Sequence, residues 1–223
     1  MPPGAIHLFL LGLAAGVALL TVTSYRRVSP AWLRWLLTLS GLFVASRYLA
    51  MALFAATDSP QRVWGFRHCW FATSLGFPLA GAFAVDQLIR HPAMTPAKLL
   101  RWLAPFLAIY AAVILVAPMT ASPDRIAGWT LHLTTGWQRL LGATHLVFTT
   151  LFLAIALMLM RKIPSKPIRI ALAGLSVGFV LLALDGVLSA LHVWYFRPYL
   201  FSELFMLLAL WHAFETASSL QNT

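Results

Sequence analysis

Long apolar runs, separated by short stretches that contain basic residues and proline, recur along the whole chain. A helix of about 20 apolar residues spans the hydrocarbon core of a bilayer. None of the runs alternates polar and apolar residues with the period of two that a membrane strand requires. The pattern therefore predicts seven membrane-spanning helices. We expect them at about 5–25, 31–56, 63–89, 99–120, 138–160, 168–194 and 198–217.

Composition supports this assignment and excludes other classes of protein. Of the 223 residues, 61% are hydrophobic and only 10% are charged. A soluble domain carries about 25% charged residues. A disordered chain has a much lower hydrophobic content than this one. The single cysteine, Cys69, excludes an internal disulfide. We therefore predict an all-α polytopic membrane protein, a seven-transmembrane-helix bundle that forms one domain over 1–223.

The longest connection between predicted helices follows the fourth span. It contains Ser122-Pro123-Asp124-Arg125, a sequence typical of a helix start. Several tryptophans and leucines follow it, and such side chains favour the membrane–water boundary. We expect 122–137 to form a short segment that lies on the interface.

The basic residues are divided unequally between the two sides of the predicted bundle. The first, third and fifth connections, with their flanks, hold ten: Arg26, Arg27, Arg34, Arg90, Lys98, Arg101, Arg161, Lys162, Lys166 and Arg169. The other connections hold five: Arg62, Arg67, Arg125, Arg139 and Arg197. Cytoplasmic loops are enriched in Lys and Arg. This predicts an N-out, C-in orientation, and we expect a multi-pass protein of the cell membrane, the inner membrane of a bacterium.

Ionisable side chains within the predicted spans are few. A charged residue at the bilayer centre costs about 2.5–3.5 kcal/mol on insertion scales, so such residues usually carry function. With the orientation above, the six candidates named below lie in the outer half except Arg47, which can extend toward the others along its stem. We predict that they line an outward-facing ligand pocket. The candidate ligand-binding residues are Arg47, His68, His145, Asp185, His192 and Glu203.

Arg47 carries the sharpest expectation because a guanidinium does not lose its charge in a protein. Near the middle of the second span it needs an anion or water. Two carboxylates lie in the outer half, Asp185 and Glu203. Asp185 is at the closer depth, so we predict an Arg47–Asp185 ion pair, with Glu203 as the alternative partner.

Two pairs of glycines with a spacing of four residues predict close helix packing. Gly174 and Gly178 share a face of the sixth span with Asp185, so this carboxylate should point into the bundle. Gly12 and Gly16 form a similar pair in the first span.

Three functions remain open at this point. The first is binding or transport of a small molecule through the polar pocket, including a sensor or receptor with a separate partner protein. The second is a membrane-embedded enzyme that acts on lipid, with Asp, Glu and His in acid–base or metal chemistry. The third is a structural subunit of a membrane complex. The net charge of +10 fits contact with anionic lipid better than binding of nucleic acid.

The expected partners are therefore the bilayer, a small-molecule or lipid ligand and a second membrane protein. Cofactors and catalytic residues stay unknown, and we expect no metal. A water-accessible cavity lined by Asp185 and His145 would favour the first two functions. A dry bundle with a paired Arg47 would favour the third.

Overall fold

A computed structural model describes residues 3–57, 59–190 and 199–220. The helices are α1 (Pro3–Ser24), α2 (Ala31–Ala56), α3 (Pro60–Gly65), α4 (Ala72–Ile89), α5 (Pro96–Leu115), α6 (Thr135–Lys162), α7 (Lys166–Ala190) and α8 (Tyr199–Ser219). The described residues include seven helices that are long and apolar enough to cross a membrane, in line with the seven predicted spans. The chain is thus predominantly helical and has the character of a multi-pass membrane protein.

The third predicted span differs from the expectation. In place of one helix over 63–89, the chain forms the short α3, a 3-10 turn at Arg67–Cys69 and then α4. The backbone leaves helical geometry at Phe66 (φ −111°, ψ 12°) and again at Phe71 (φ −104°, ψ 18°). Hydropathy measures the apolar content of a segment and does not detect such breaks in the helical backbone. His68 therefore lies in the turn and not one turn inside a helix.

The spans pack in sequence order, and α8 closes the ring by contacting α1. The exception is α4, which contacts α2, α5, α6, α7 and α8 and is the most deeply buried of the seven. Its glycines allow this central position. A Cβ on Gly76 would lie 2.2 Å from Val44 Cγ2 of α2, and one on Gly81 would lie 2.7 Å from the Phe179 ring of α7.

The connection after α5 is a β-hairpin and not the start of a helix. Strand β1 (Met119–Asp124) pairs antiparallel with β2 (Gly128–Leu133), with Met119 opposite Leu133. The Asp124 carboxylate accepts hydrogen bonds from the backbone N–H of Ile126 (2.8 Å) and Ala127 (2.9 Å). An Asp side chain can stabilise a turn in this way as readily as a helix start. The prediction of a helix start at 122–125 is therefore wrong, and the position of 122–137 on the membrane interface stays a prediction.

The hairpin rests on the end of α2. Gly128 has φ +67°, and a Cβ there would lie 2.2 Å from the Phe54 carbonyl oxygen. Only glycine fits both the backbone angle and the close approach. The Trp129 indole N–H donates to the Thr57 carbonyl at 3.0 Å. We call this side of the molecule, where α2 ends and α4, α6 and α8 begin, the hairpin end.

The two glycine pairs have different surroundings. On α7, a Cβ on Gly178 would lie 2.7 Å from Met206 Sδ of α8, and one on Gly174 would contact Ala209 at 3.7 Å. This confirms that the glycine face of α7 packs inward. On α1, Cβ atoms at Gly12 and Gly16 would meet no described atom within 4 Å beyond the helix's own backbone. Within the described chain, the α1 pair does not serve helix packing.

Candidate functional site

A buried ion pair joins α2 to α8 near the hairpin end. Arg47 Nη2 lies 2.9 Å from Glu203 Oε1, and Arg47 Nε donates to Glu203 Oε2 at 3.3 Å. The two residues are 7% and 2% exposed. Two parallel N–H···O contacts of this kind fix the planes of both groups as well as their separation. The expectation that Arg47 pairs with a carboxylate is confirmed.

The carboxylate is the alternative partner, Glu203, and not Asp185. Glu203 lies on α8, which packs on the same two helices as α2, namely α1 and α4, whereas Asp185 lies on α7, which packs mainly on α6 and α8. Sequence depth gives the height of a residue in the bundle but not the order of the helices around it. The predicted Arg47–Asp185 pair is therefore wrong: Arg47 pairs with Glu203, and Asp185 accepts a hydrogen bond from Ser202.

Two more elements complete the surroundings of the ion pair. Thr73, at the start of α4, donates a hydrogen bond to Glu203 Oε1 at 3.1 Å. The Arg47 guanidinium carbon lies 5.6 Å from the centroid of the Trp70 ring, a distance typical of a cation–π contact. Trp70 in turn stacks on Phe54, with centroids 5.5 Å apart. Since Phe54 touches the hairpin, a continuous packed column runs from the hairpin to the ion pair.

Tyr48 lies beside the same group. Its side chain is fully buried, and its hydroxyl is close enough to Glu203 to interact with it electrostatically. Within the described residues, this hydroxyl has no hydrogen bond of ordinary geometry. The Tyr48 hydroxyl therefore belongs to the surroundings of the Glu203 carboxylate, at a less well aligned geometry than the Thr73 hydroxyl.

A second carboxylate lies on the other side of α8. Asp185 of α7 accepts a hydrogen bond from the Ser202 hydroxyl, and Ser202 directly precedes Glu203. Asp185 is only partly buried, and it lies close enough to Glu203 for the two carboxylates to interact electrostatically. Among the described residues, no cation forms an ion pair with Asp185; the ion pair near it is Arg47–Glu203. We call these residues the polar cluster: Arg47, Tyr48, Thr73, Asp185, Ser202 and Glu203.

The two predicted histidines both contact α5, and within the described residues neither makes a hydrogen bond to a member of the polar cluster. His68 Nδ1 is 2.8 Å from the Ile114 carbonyl oxygen. His145 on α6 places Nδ1 3.1 Å from its own Leu141 carbonyl and its ring 4.9 Å from the Tyr110 ring. Tyr110 and Ile114 are one turn apart on α5, so both histidines line the same helix. A shared pocket of His68, His145 and the carboxylates stays a prediction.

The remaining predicted residue, His192, lies outside the described residues. So does the connection 191–198, which follows the α7 segment that carries Asp185. Within the described part of the chain, no three His, Cys, Asp or Glu side chains are grouped to hold a metal ion. A small cavity lies between α1, α2, α4 and α8; Thr21 and Ser40 line it, and Asp185 and His145 do not.

Three further residues of the site have signals in the sequence. Tyr48 and Ser202 are direct neighbours of Arg47 and Glu203. Thr73 stands in a Thr-Ser pair at the start of a span, where a free hydroxyl in lipid needs a partner. Trp70 has no such signal, because its contact with Arg47 depends on the break before α4.

The chain matches no family model and no curated protein sequence. Any functional conclusion therefore depends on the geometry and chemistry described above.

Proposed function

We propose that this chain binds or transports a small molecule at the polar cluster near the hairpin end; a sensor or receptor that works with a separate partner belongs to this class. The polar cluster carries the proposal. It brings three ionisable groups from α2, α7 and α8 together at one level of an otherwise apolar bundle. Charged groups within spans are costly, and they concentrate at substrate and ion pathways.

The charges of the cluster favour a positively charged ligand. Arg47 directs both Nε and Nη2 to Glu203, and its guanidinium lies over Trp70. An anionic ligand would therefore compete with Glu203 for this guanidinium. Asp185 carries a second negative charge and, among the described residues, accepts one hydroxyl hydrogen bond. A primary amine could pair with this carboxylate and leave the Arg47–Glu203 pair intact.

A thermal-shift comparison of two probes tests this proposal. The purified protein is heated in detergent with ethanolamine or with acetate, and the same is done for Asp185→Asn and for Glu215→Gln. Glu215 is an exposed carboxylate and serves as the matched control. We expect ethanolamine to raise the melting temperature of the wild type and of Glu215→Gln, but not of Asp185→Asn. An equal shift in all three proteins, or a shift with acetate alone, would contradict the assignment.

The hairpin end, and with it the polar cluster, faces the outside of the cell under the orientation predicted from the basic residues. We propose that the N-terminus is outside and the C-terminus is cytoplasmic, in a bacterial inner membrane. The support is the excess of Lys and Arg in the first, third and fifth connections. A reporter fused after Thr223 should be active in the cytoplasm. Activity of a periplasmic reporter at the same position would reverse the assignment.

A structural subunit of a membrane complex is the second candidate, and two observations favour it. The small cavity found among the described residues is lined by neither Asp185 nor His145. Arg47 already has its carboxylate, its second hydrogen bond and its aromatic neighbour within the chain. A pair whose groups have all these partners needs no ligand, and joining α2 to α8 is a sufficient role for it. In that case neither probe changes the melting temperature, and the protein should instead copurify with a partner under mild detergent.

A further inference from the structure

Four basic residues cluster at the turn between α6 and α7. They are Arg161, Lys162, Lys166 and Arg169, and all four side chains are exposed. Helix α6 begins beside the hairpin and runs for 28 residues, so the turn lies at the opposite end of the bundle. We call these residues the α6–α7 turn cluster.

Several other basic residues at this end are used within the fold. Arg27 Nη1 donates to the Ser218 hydroxyl at 3.0 Å, and Arg34 Nη1 donates to the Arg26 carbonyl at 3.3 Å. In the described part of the chain, no side chain of the α6–α7 turn cluster makes a hydrogen bond or an ion pair with a protein group. Its four charges therefore remain available to an external anion.

Helix electrostatics give a second, independent observation. Arg161 and Lys162 stand in the last turn of α6, where cations favour the helix dipole. Lys166 and Arg169 stand in the first turn of α7, at the positive end of its dipole, and no acidic residue accompanies them. Cations at that position are unfavourable for the helix. Helix stability thus explains the first pair but not the second, and an anion bound there would remove the conflict.

We propose that the α6–α7 turn cluster binds the headgroup of an anionic phospholipid. Backbone N–H groups at the start of α7 and the four cations both favour a phosphate at this position. Met158 lies about one turn before the end of α6, and Ile170 lies about one turn after the start of α7. Both side chains are half exposed, so they can contact the acyl chains of the same lipid. The site is distinct from the polar cluster at the hairpin end, and it does not depend on the function proposed above.

Native mass spectrometry of the purified protein tests the proposal. The protein is titrated with phosphatidylglycerol or with phosphatidylcholine of the same acyl chains. We expect the wild type to retain phosphatidylglycerol preferentially, and we expect Lys166→Gln/Arg169→Gln to bind it about tenfold more weakly, since each basic residue near an anionic surface contributes substantially. The matched control Arg62→Gln/Arg139→Gln removes two exposed charges at the hairpin end and should bind like the wild type.

A charge reversal separates lipid binding from a role in helix stability. Lys166→Glu/Arg169→Glu places acidic residues in the first turn of α7, where they favour the dipole. We expect the melting temperature to hold or rise while phosphatidylglycerol binding is lost. Equal retention of the two lipids by the wild type, equal phosphatidylglycerol binding by both glutamine variants, or full displacement of the lipid by excess inorganic phosphate would overturn the proposal.

Discussion

The two sides of α8 hold their carboxylates in different ways. Facing α2 and α4, Glu203 is buried, makes two contacts with a guanidinium and accepts a third hydrogen bond from Thr73. Facing α7, Asp185 is partly exposed and is held by the single hydroxyl of Ser202. The first carboxylate is fixed by its partners, whereas the second retains capacity for another donor. The difference separates a group that holds the fold together from one that can respond to a ligand.

The largest effect should follow from neutralising the α2 side of this comparison. In Glu203→Gln, Arg47 stays buried without its counter-charge, and loss of one partner of such a pair costs about 3–5 kcal/mol. Equilibrium unfolding in mixed micelles with SDS measures the change. Glu215→Gln, at an exposed carboxylate of the same helix, should leave the free energy of unfolding unchanged. Equal values for the two variants would remove the distinction between the two sides of α8.

A smaller loss should follow from enlarging the contact between α7 and α8. In Gly178→Ala, the new Cβ would lie 2.7 Å from Met206 Sδ and 3.4 Å from Met206 Cα, so the methionine must move. We expect a loss of about 1–2 kcal/mol in the same unfolding measurement, as for other overpacked cores. Gly12→Ala on α1 is the control, since its Cβ meets open space. A stability of Gly178→Ala as high as that of the control would show that the helices separate at little cost.

Asp185→Asn should change stability less than either variant above. Asparagine still accepts from Ser202, so only the charged character of one hydrogen bond is lost, a change of about 0.5–1.5 kcal/mol. The unfolding free energy should therefore lie between those of Glu215→Gln and Glu203→Gln. A loss as large as that of Glu203→Gln would show that Asp185 has a buried cationic partner and is not available to a ligand.

The smallest net effect is expected when both members of the ion pair are replaced together. Apolar residues of similar volume in place of a buried ion pair often leave stability unchanged or increased. The double variant Arg47→Met/Glu203→Leu should therefore unfold within about 1 kcal/mol of the wild type, well above Glu203→Gln alone. If the double variant is as unstable as the single one, the contacts to Thr73 and Trp70 contribute more than the charges.

Hydropathy was sufficient for the spans but not for their neighbours. The predicted bounds of α2, 31–56, equal those of the structure, because Pro30 and the polar residues after Ala56 delimit the run. The partner of Arg47 could not be derived in the same way. Asp185 and Glu203 lie at similar depth, and the choice between them depends on whether α7 or α8 packs on the helices that flank α2. The order of the helices around the bundle follows from the central position of α4, which no local sequence pattern encodes.

The β-hairpin was predictable in part. Trp129, Leu131 and Leu133 alternate with Thr130 and His132, which is the period-two pattern of a strand, and Gly128 precedes them. Asp124 is typical of a helix start but also of a turn, so this residue alone does not distinguish an interfacial helix from a hairpin. The break at Arg67–Cys69 had a weaker signal: Gly65 precedes it, and Arg67 and His68 interrupt the apolar run, but the mean hydropathy of the whole span hides this interruption.

The break before α4 also gives the protein a built-in reporter. Cys69 is the single cysteine of the chain, half-buried, in the 3-10 turn directly before Trp70. A maleimide dye or spin label will therefore attach at one position, next to the column that joins the hairpin to Arg47, without any mutagenesis. The rate of its alkylation measures how often that turn opens to solvent. Added ethanolamine should change this rate if the hairpin end moves when the polar cluster is occupied.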